Sequence, residues 1–147
     1  MTDISAFPTI QQVLYSGDNL QCFTAGATIK AGQVVAIHGT GVNMTVHPAV
    51  AGTTEAPLGV AVFGAASGAV VTVACQGCIA YVANADDNTG IDAGHFVIVN
   101  DNAVGGTVSV LVDTASTYAV GIALDDIAGA GTGRIMIQPQ YVSKAAS

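Results

Sequence analysis

Residues 29–37 read IKAGQVVAI, and the same pattern returns at residues 91–99 as IDAGHFVIV. In both stretches an Ala-Gly pair precedes a run of β-branched apolar residues, which is typical of a turn that leads into a strand. The match continues downstream with the same offset, because LGVAV at residues 58–62 is echoed by VGIAL at residues 120–124. A shared spacing over two separate segments indicates an internal duplication rather than a chance likeness.

A third pair of segments follows in the same order. In each copy a loop of small residues leads into an apolar run, VVTVAC at residues 70–75 and RIMIQP at residues 134–139. Three matched segments in one order predict two similar β units, with repeat halves at about residues 29–82 and 91–141.

The spacing of apolar residues predicts an all-β fold. Short runs rich in Val, Ile and Thr alternate with Gly-rich turns, and no window has the period and caps of a sustained helix. At 147 residues the chain has the length of one domain, and it can bury a sizeable core without disulfides or metals. We therefore predict a single small domain at residues 18–147, a β-barrel or β-sandwich-like structure built around the duplicated unit.

Residues 1–17 have no counterpart before the second repeat. Their apolar side chains recur at every third position, at Ile4, Phe7, Ile10 and Val13. Pro8 disfavours a helix at the residue before it, so we predict an extended N-terminal arm. Two interpretations stay open: the arm is a first strand or frayed terminus, or it docks on a neighbouring molecule, as extended segments do at sheet edges.

Composition excludes several classes of partner. The chain has 10 acidic and 3 basic side chains, for a net charge of −7, and only 9% of its residues are charged. Three cations cannot neutralise a run of phosphates or bind an anionic membrane, so we expect neither nucleic acid nor a lipid surface as a partner. The N-terminus shows no secretory signal and no apolar run is long enough to span a bilayer, so we expect synthesis in the cytoplasm with reduced cysteines.

Cys75-Gln-Gly-Cys78 has the spacing of a redox pair or of half a zinc site. No other Cys or His residues supply a second ligand pair with matching spacing. A redox CxxC motif also opens a helix, whereas this one lies between two predicted strands. We predict that both thiols are buried, reduced and free of metal.

The remaining polar motifs are interpreted as turns. GAGTG at residues 129–133 is similar to a phosphate-binding loop, but a strand follows it instead of a helix. The acidic runs at residues 86–88 and 125–126 lack the alternating ligands of a calcium loop. No nucleophile elbow is present, and the chain offers few positioned polar groups, so we predict no enzyme activity and no cofactor.

The order of segments resembles the capsid decoration, or cement, proteins of tailed bacteriophages. The resemblance covers about residues 19–141 and is carried by AGQVVAI, LGVAV, VVTVACQG, AGHFVIV, VGIAL and RIMIQ. It implies a β-barrel-like fold, often trimeric, bound outside a shell of the major capsid protein, with no catalytic residues. Residues 1–17 are not part of the recognised pattern.

The resemblance implies a structural virion protein, made in the host cytoplasm, that stabilises the capsid exterior by bridging major capsid protein subunits. We expect a homo-oligomer, specifically a trimer. We also predict that the arm contacts the capsid or a sister protomer through Ile4, Phe7, Ile10 and Val13. Two alternatives remain. One is another viral structural component, such as a head fibre base or a tail protein. The other is a β-clip domain with a small-molecule ligand, which requires a converging polar site.

Overall fold

The chain forms β-strands throughout the part that the computed structural model describes, namely residues 13–38, 45–50, 55–85, 89–100, 105–111 and 117–142. These residues contain no helix, and so none long and apolar enough to cross a membrane. The all-β prediction is confirmed. The strands are β1 (Leu14–Ser16), β2 (Leu20–Ala25), β3 (Val34–Ile37), β4 (Thr45–Pro48), β5 (Pro57–Ala61), β6 (Val70–Ala74), β7 (Ile79–Ala83), β8 (Phe96–Val99), β9 (Val108–Val110), β10 (Thr117–Ala123) and β11 (Thr132–Val142).

Strands β2 to β6 close into a barrel in the order β2-β4-β3-β5-β6, and the others form a six-stranded sheet in the order β1-β7-β11-β10-β8-β9. Within the barrel β2 and β4 run parallel, with Ala25 opposite Val46. In the sheet, the corresponding parallel contact is a single bridge. It pairs Asn84, at the end of β7, with Val108 of β9. Apart from β1, the sheet therefore repeats the connectivity of the barrel.

The two Ala-Gly turns occupy equivalent places, as the duplication predicts. Gly32 and Gly94 adopt φ angles of 92° and 90°, a region that glycine enters without steric cost. The Gly32 N–H donates to the carbonyl of Ala61 at 2.9 Å, and the Gly94 N–H donates to the carbonyl of Ala123 at 2.7 Å. Both turns thus attach to the fourth strand of their own unit through the same hydrogen bond, so the duplication is confirmed.

The structural repeat begins earlier than the matched sequence. Strand β2 pairs with β6, where Thr24 lies opposite Val70, and β7 pairs with β11, where Ala83 lies opposite Thr132. The offset between these first strands is slightly shorter than the offset between the matched segments, and their sequences LQCFTA and IAYVA share little. The first unit is therefore β2 to β6 and the second unit is β7 to β11, although the sequence match groups residues 79–82 with the first half.

The two units share a buried core cluster that is separate from the cluster inside the barrel. One buried cluster fills the barrel and includes Val35 of β3. The neighbouring residues on the other side of the same strands, such as Val34 and Val60, belong to a second cluster that also contains Val97 and Ile135 of the second unit. Strands β3 and β5 are thus buried on both faces, which explains why their sequences are continuous apolar runs.

A turn of the second unit is fixed against the first. Gly106 accepts a hydrogen bond from the N–H of Val34 and donates one to the carbonyl of Ala49, both at 2.9 Å. The side chain of Gln33, only 7% exposed, donates to the carbonyl of Gly105 at 2.9 Å. Because a Cβ at position 106 would lie 2.8 Å from the Cβ of Gln33, the close approach requires glycine.

Candidate functional site

The four predicted contact residues fall into two groups. Ile4, Phe7 and Ile10 lie outside the described residues, so their contacts stay a prediction. Val13 is 1% exposed and packs in the shared core, where its N–H donates to the carbonyl of Val62 at 3.2 Å. Its side chain is therefore covered by its own chain and is not available to a capsid subunit or a sister protomer.

The last residues of the predicted arm form β1, an edge strand of the second unit's sheet. Tyr15 is 55% exposed, and its ring meets that of Tyr81 edge-on with the centroids 6.0 Å apart. The guanidinium of Arg134 lies 4.8 Å from the centre of the Tyr15 ring, a cation–π contact. β1 is thus held by side chains as well as by the ladder, and it gives residues 1–12 a fixed point of attachment.

The same arginine makes a bidentate ion pair. Its Nη2 and Nε donate to the two carboxylate oxygens of Asp125, at 2.6 and 2.9 Å, and the Arg134 backbone N–H donates to the same carboxylate at 3.0 Å. These hydrogen bonds lower the pKa of Asp125 to about 2 and raise the pKa of Arg134. Asp125 therefore stays ionised over the physiological range and holds β11 against the turn that follows β10.

The neighbouring acidic residue also has a backbone partner. One carboxylate oxygen of Asp126 accepts a hydrogen bond from the N–H of Ala93 at 2.9 Å. The acidic pair at residues 125–126 thus fastens two turns of the second unit, as expected of acidic turn residues. The described residues include no group of three His, Cys, Asp or Glu side chains arranged to hold a metal ion. The run at residues 86–88 lies outside them.

The Cys75 and Cys78 side chains are packing elements. Both thiols are free, and their residues are 8% and 0% exposed, so their predicted burial is confirmed. Burial raises the pKa of the Cys75 thiol, and the nearby Cys78 raises it further. A raised pKa keeps the thiol protonated and unreactive. Gly17 explains part of this packing, since a Cβ there would lie 2.6 Å from the Cys78 sulfur.

The glycine-rich stretch at residues 129–133 begins as a turn, as predicted, and its last two residues belong to β11. The N–H of Gly131 donates to the carbonyl of Ala128 at 2.9 Å, and Ala130 takes a positive φ of 58°. Strand β11 starts directly afterwards at Thr132. No helix N-terminus is present in this described stretch to hold a phosphate.

One polar cluster was not anticipated from the sequence. At one end of the barrel, His38 Nδ1 pairs with a carboxylate oxygen of Glu55, and the His38 ring lies 4.4 Å from that of His47. The pairing of β3 with β4 positions the two histidines. His47 lies opposite Ala36 of β3, and His38 follows the end of that strand. His38 and Glu55 lie 17 residues apart in the sequence and belong to no common motif. The folding of the barrel brings the two side chains together.

Several large apolar side chains are exposed to solvent. They lie on several strands and connections of both units, and exposed apolar residues scattered singly are normal for a folded protein. The sequence does not identify these exposed residues, because the same residue types also fill the core. The exposed side chains are Tyr15, Leu20, Ile37, Val50, Phe63, Val70, Leu124 and Tyr141.

Comparisons with known proteins give a matching family and a similar fold. A family model described as phage cement protein matches residues 15–138, which include nearly all of both units. Among solved structures, the chain is similar to the N base of the head fibre protein gp8.5 of bacteriophage phi29, with a TM-score of 0.61 and 18% sequence identity. The similarity covers 87% of this chain and 98% of the phi29 chain, and it shows a shared fold. No curated protein matches the sequence.

Proposed function

Because the chain belongs to the phage cement protein family, we propose that it binds the outside of a tailed-phage capsid and stabilises the shell by bridging major capsid protein subunits. Family membership makes it a structural, virion-associated phage protein. We further propose that it acts as a homo-oligomer, specifically a trimer, and that it is made in the host cytoplasm before it binds the capsid. The match over residues 15–138 carries this proposal, since it spans both units and not one motif.

The architecture suits a clamp on a lattice. The two units share a core cluster, and the turn containing Gly106 fixes one against the other, so the described residues present their surfaces in a constant geometry. A protein that binds only assembled subunits shifts the equilibrium toward the assembled shell. At a free concentration of 100 times the dissociation constant this linkage is worth about 2.7 kcal/mol per site. Repetition over the lattice multiplies the effect.

The arm supplies part of the grip in this proposal. Residues 1–12 start from the fixed point at Val13 and β1, and an extended segment of this length reaches at most about 40 Å. Ile4, Phe7 and Ile10 are the apolar side chains that this segment offers at regular spacing. Burying Phe7 alone would contribute roughly 2 kcal/mol, and avidity over many sites would strengthen it.

The test is a truncation that lacks residues 1–12, mixed with undecorated capsids and sedimented. The truncation stops before Val13 because that residue is in the core. We expect the truncated protein to fold and to bind the shell more weakly than the full chain. A control variant with Gln11→Ala and Gln12→Ala keeps the three apolar residues and should bind normally.

Two results would contradict the proposal in different ways. Equal binding by the truncated and full-length proteins would show that the arm is not the clamp. If the full-length protein does not bind capsids at all, the role in decoration fails. The thermal stability of empty capsids with and without saturating protein then measures the stabilisation directly.

The similarity in fold to a head fibre base favours a second candidate function, the base from which a fibre projects. Electron microscopy of decorated particles separates the two. Density confined to compact knobs on the shell supports a cement protein, and extended density beyond the knobs supports a fibre base. Family membership favours both over a β-clip domain with a small-molecule ligand.

A further inference from the structure

The second unit carries four apolar side chains that lie in line across its sheet. Ile79 of β7 lies opposite Met136 of β11. Met136 in turn lies opposite Ile122 of β10, which lies opposite Phe96 of β8. All four are half-buried, so the chain itself covers none of them completely. Neighbouring strands are about 4.8 Å apart, so this apolar row forms a strip about 14 Å long.

The first unit has the same row, and there it is an interface. Leu20, Ala74, Val60 and Val34 lie opposite one another in the same order on the corresponding strands. The last three are 0% exposed and belong to the core cluster that both units share. Strand β5 packs against β10 and β11 of the second unit. A row that is largely buried under the second unit in the first half is therefore only partly covered in the second half.

The side chains of this partly covered row fit a contact with another molecule. Met136, Ile122 and Phe96 replace the smaller Ala74, Val60 and Val34 of the covered row, so the apolar area is larger where it is less covered.

Charge does not oppose such a contact at this face. The chain carries a net charge of −7, so two copies repel each other least when uncharged surfaces face one another. The row itself is uncharged, and the charge of the nearby Arg134 is neutralised by Asp125. The row is thus a face on which two like-charged copies can meet.

We propose that the apolar row is the contact through which each copy packs against a neighbouring copy of this chain. The duplication identifies the occupant, because the equivalent row in the first unit is covered by another β unit of the same chain. A contact between this row and a different surface of the next copy is head-to-tail, and such contacts close into rings where the rotation between copies closes. The inference deepens the proposed function and rests on the homo-oligomer that it includes.

The experiment measures self-association of the purified full chain without capsids, by analytical ultracentrifugation over a wide range of concentration. Ile122→Glu places a carboxylate in the middle of the row and should weaken self-association by about 100-fold or more, since central apolar contacts dominate interfaces. The matched control is Ala128→Glu, which places a carboxylate at an exposed apolar residue of the same unit, between β10 and β11 and outside the row. The control should assemble like the wild type.

A second measurement guards against a variant that fails to fold. Met136 lies in the row, so in the wild-type protein its oxidation by dilute peroxide, followed by mass spectrometry, should be slower in the oligomer than after dilution to monomers. A wild-type protein that is monomeric at every concentration would overturn the inference. So would an unchanged oligomer in a folded Ile122→Glu variant, or equal oxidation of Met136 in both states.

Capsid binding separates this inference from the proposed function. If the row proves not to join copies but the protein still binds capsids, only this inference fails. If Ile122→Glu leaves the oligomer intact and abolishes capsid binding, the row faces the capsid and the inference is also wrong. If copies associate through the row and bind no capsid, the interface stands and the proposed function falls.

Discussion

Replacing Gly121 by alanine should destabilise the protein more than any exposed substitution. A Cβ at this position would overlap the carbonyl oxygen of Met136 and lie 2.9 Å from its carbonyl carbon, so β10 and β11 must move apart. Overpacking costs about 1–3 kcal/mol, and each ladder hydrogen bond that weakens costs about 1 kcal/mol more. Alanine also lowers the conformational entropy of the unfolded chain, which stabilises the folded protein by less than about 1 kcal/mol. On these magnitudes we expect a net loss of about 3 kcal/mol.

For a domain of this size, that loss corresponds to a fall in Tm of roughly 6–12 °C, measured by circular dichroism. Gly59 is the repeat counterpart, and a Cβ there would overlap the carbonyl oxygen of Ala74, so Gly59→Ala should cost a similar amount. Gly94→Ala is the control: its φ is +90° but no atom lies within 4 Å of the added Cβ, so only about 1 kcal/mol is expected. The reasoning is refuted if Gly121→Ala melts no lower than Gly94→Ala.

Three further changes test other contacts. Gln33→Leu removes the buried amide that joins the two units and should lower the free energy of unfolding by about 2 kcal/mol, measured by urea denaturation; an unchanged midpoint would contradict this role. The pKa of Asp125 is lowered to about 2, so its stabilisation is present above about pH 4 and is lost as the pH falls toward 2. Asp125→Asn should therefore have a lower melting temperature than the wild type at neutral pH. The difference in melting temperature should disappear as the pH falls from about 4 toward 2. With Ellman's reagent, the exposed Cys22 should react in the native protein, whereas Cys75 and Cys78 should react only on unfolding; fast reaction of all three would contradict their burial.

The duplicated turns show what sequence could predict. The Ala-Gly pairs at Gly32 and Gly94 have to take a positive φ, and the glycines at 59 and 121 have to admit a neighbouring carbonyl, so these positions resist substitution and stay recognisable. The β-branched runs between them are constrained by burial. The all-β fold, the duplication and the buried cysteines therefore followed from local pattern.

The unpredicted features depend on pairing over long distances. Strands β2 and β7 are equivalent only through their partners β6 and β11, because their own residues are free to differ on the exposed face. Val13 follows the same period as Ile4, Phe7 and Ile10, yet its side chain packs in the core and its backbone N–H bonds to Val62. Periodicity shows that a residue is apolar at regular intervals, but not which molecule covers it.

The two rows give the duplication a physical consequence. In the first unit the row is covered by a neighbour on the same chain, so its effective concentration is high and the contact forms whenever the chain folds. In the second unit the equivalent row would be covered by another copy, so that contact depends on concentration. A linked pair of units can thus fold at low concentration and assemble where copies are brought together, as on a capsid lattice. If this holds, the melting temperature should rise with protein concentration in the wild type and stay constant in a folded Ile122→Glu variant. A constant melting temperature in both proteins would remove the link between the row and assembly.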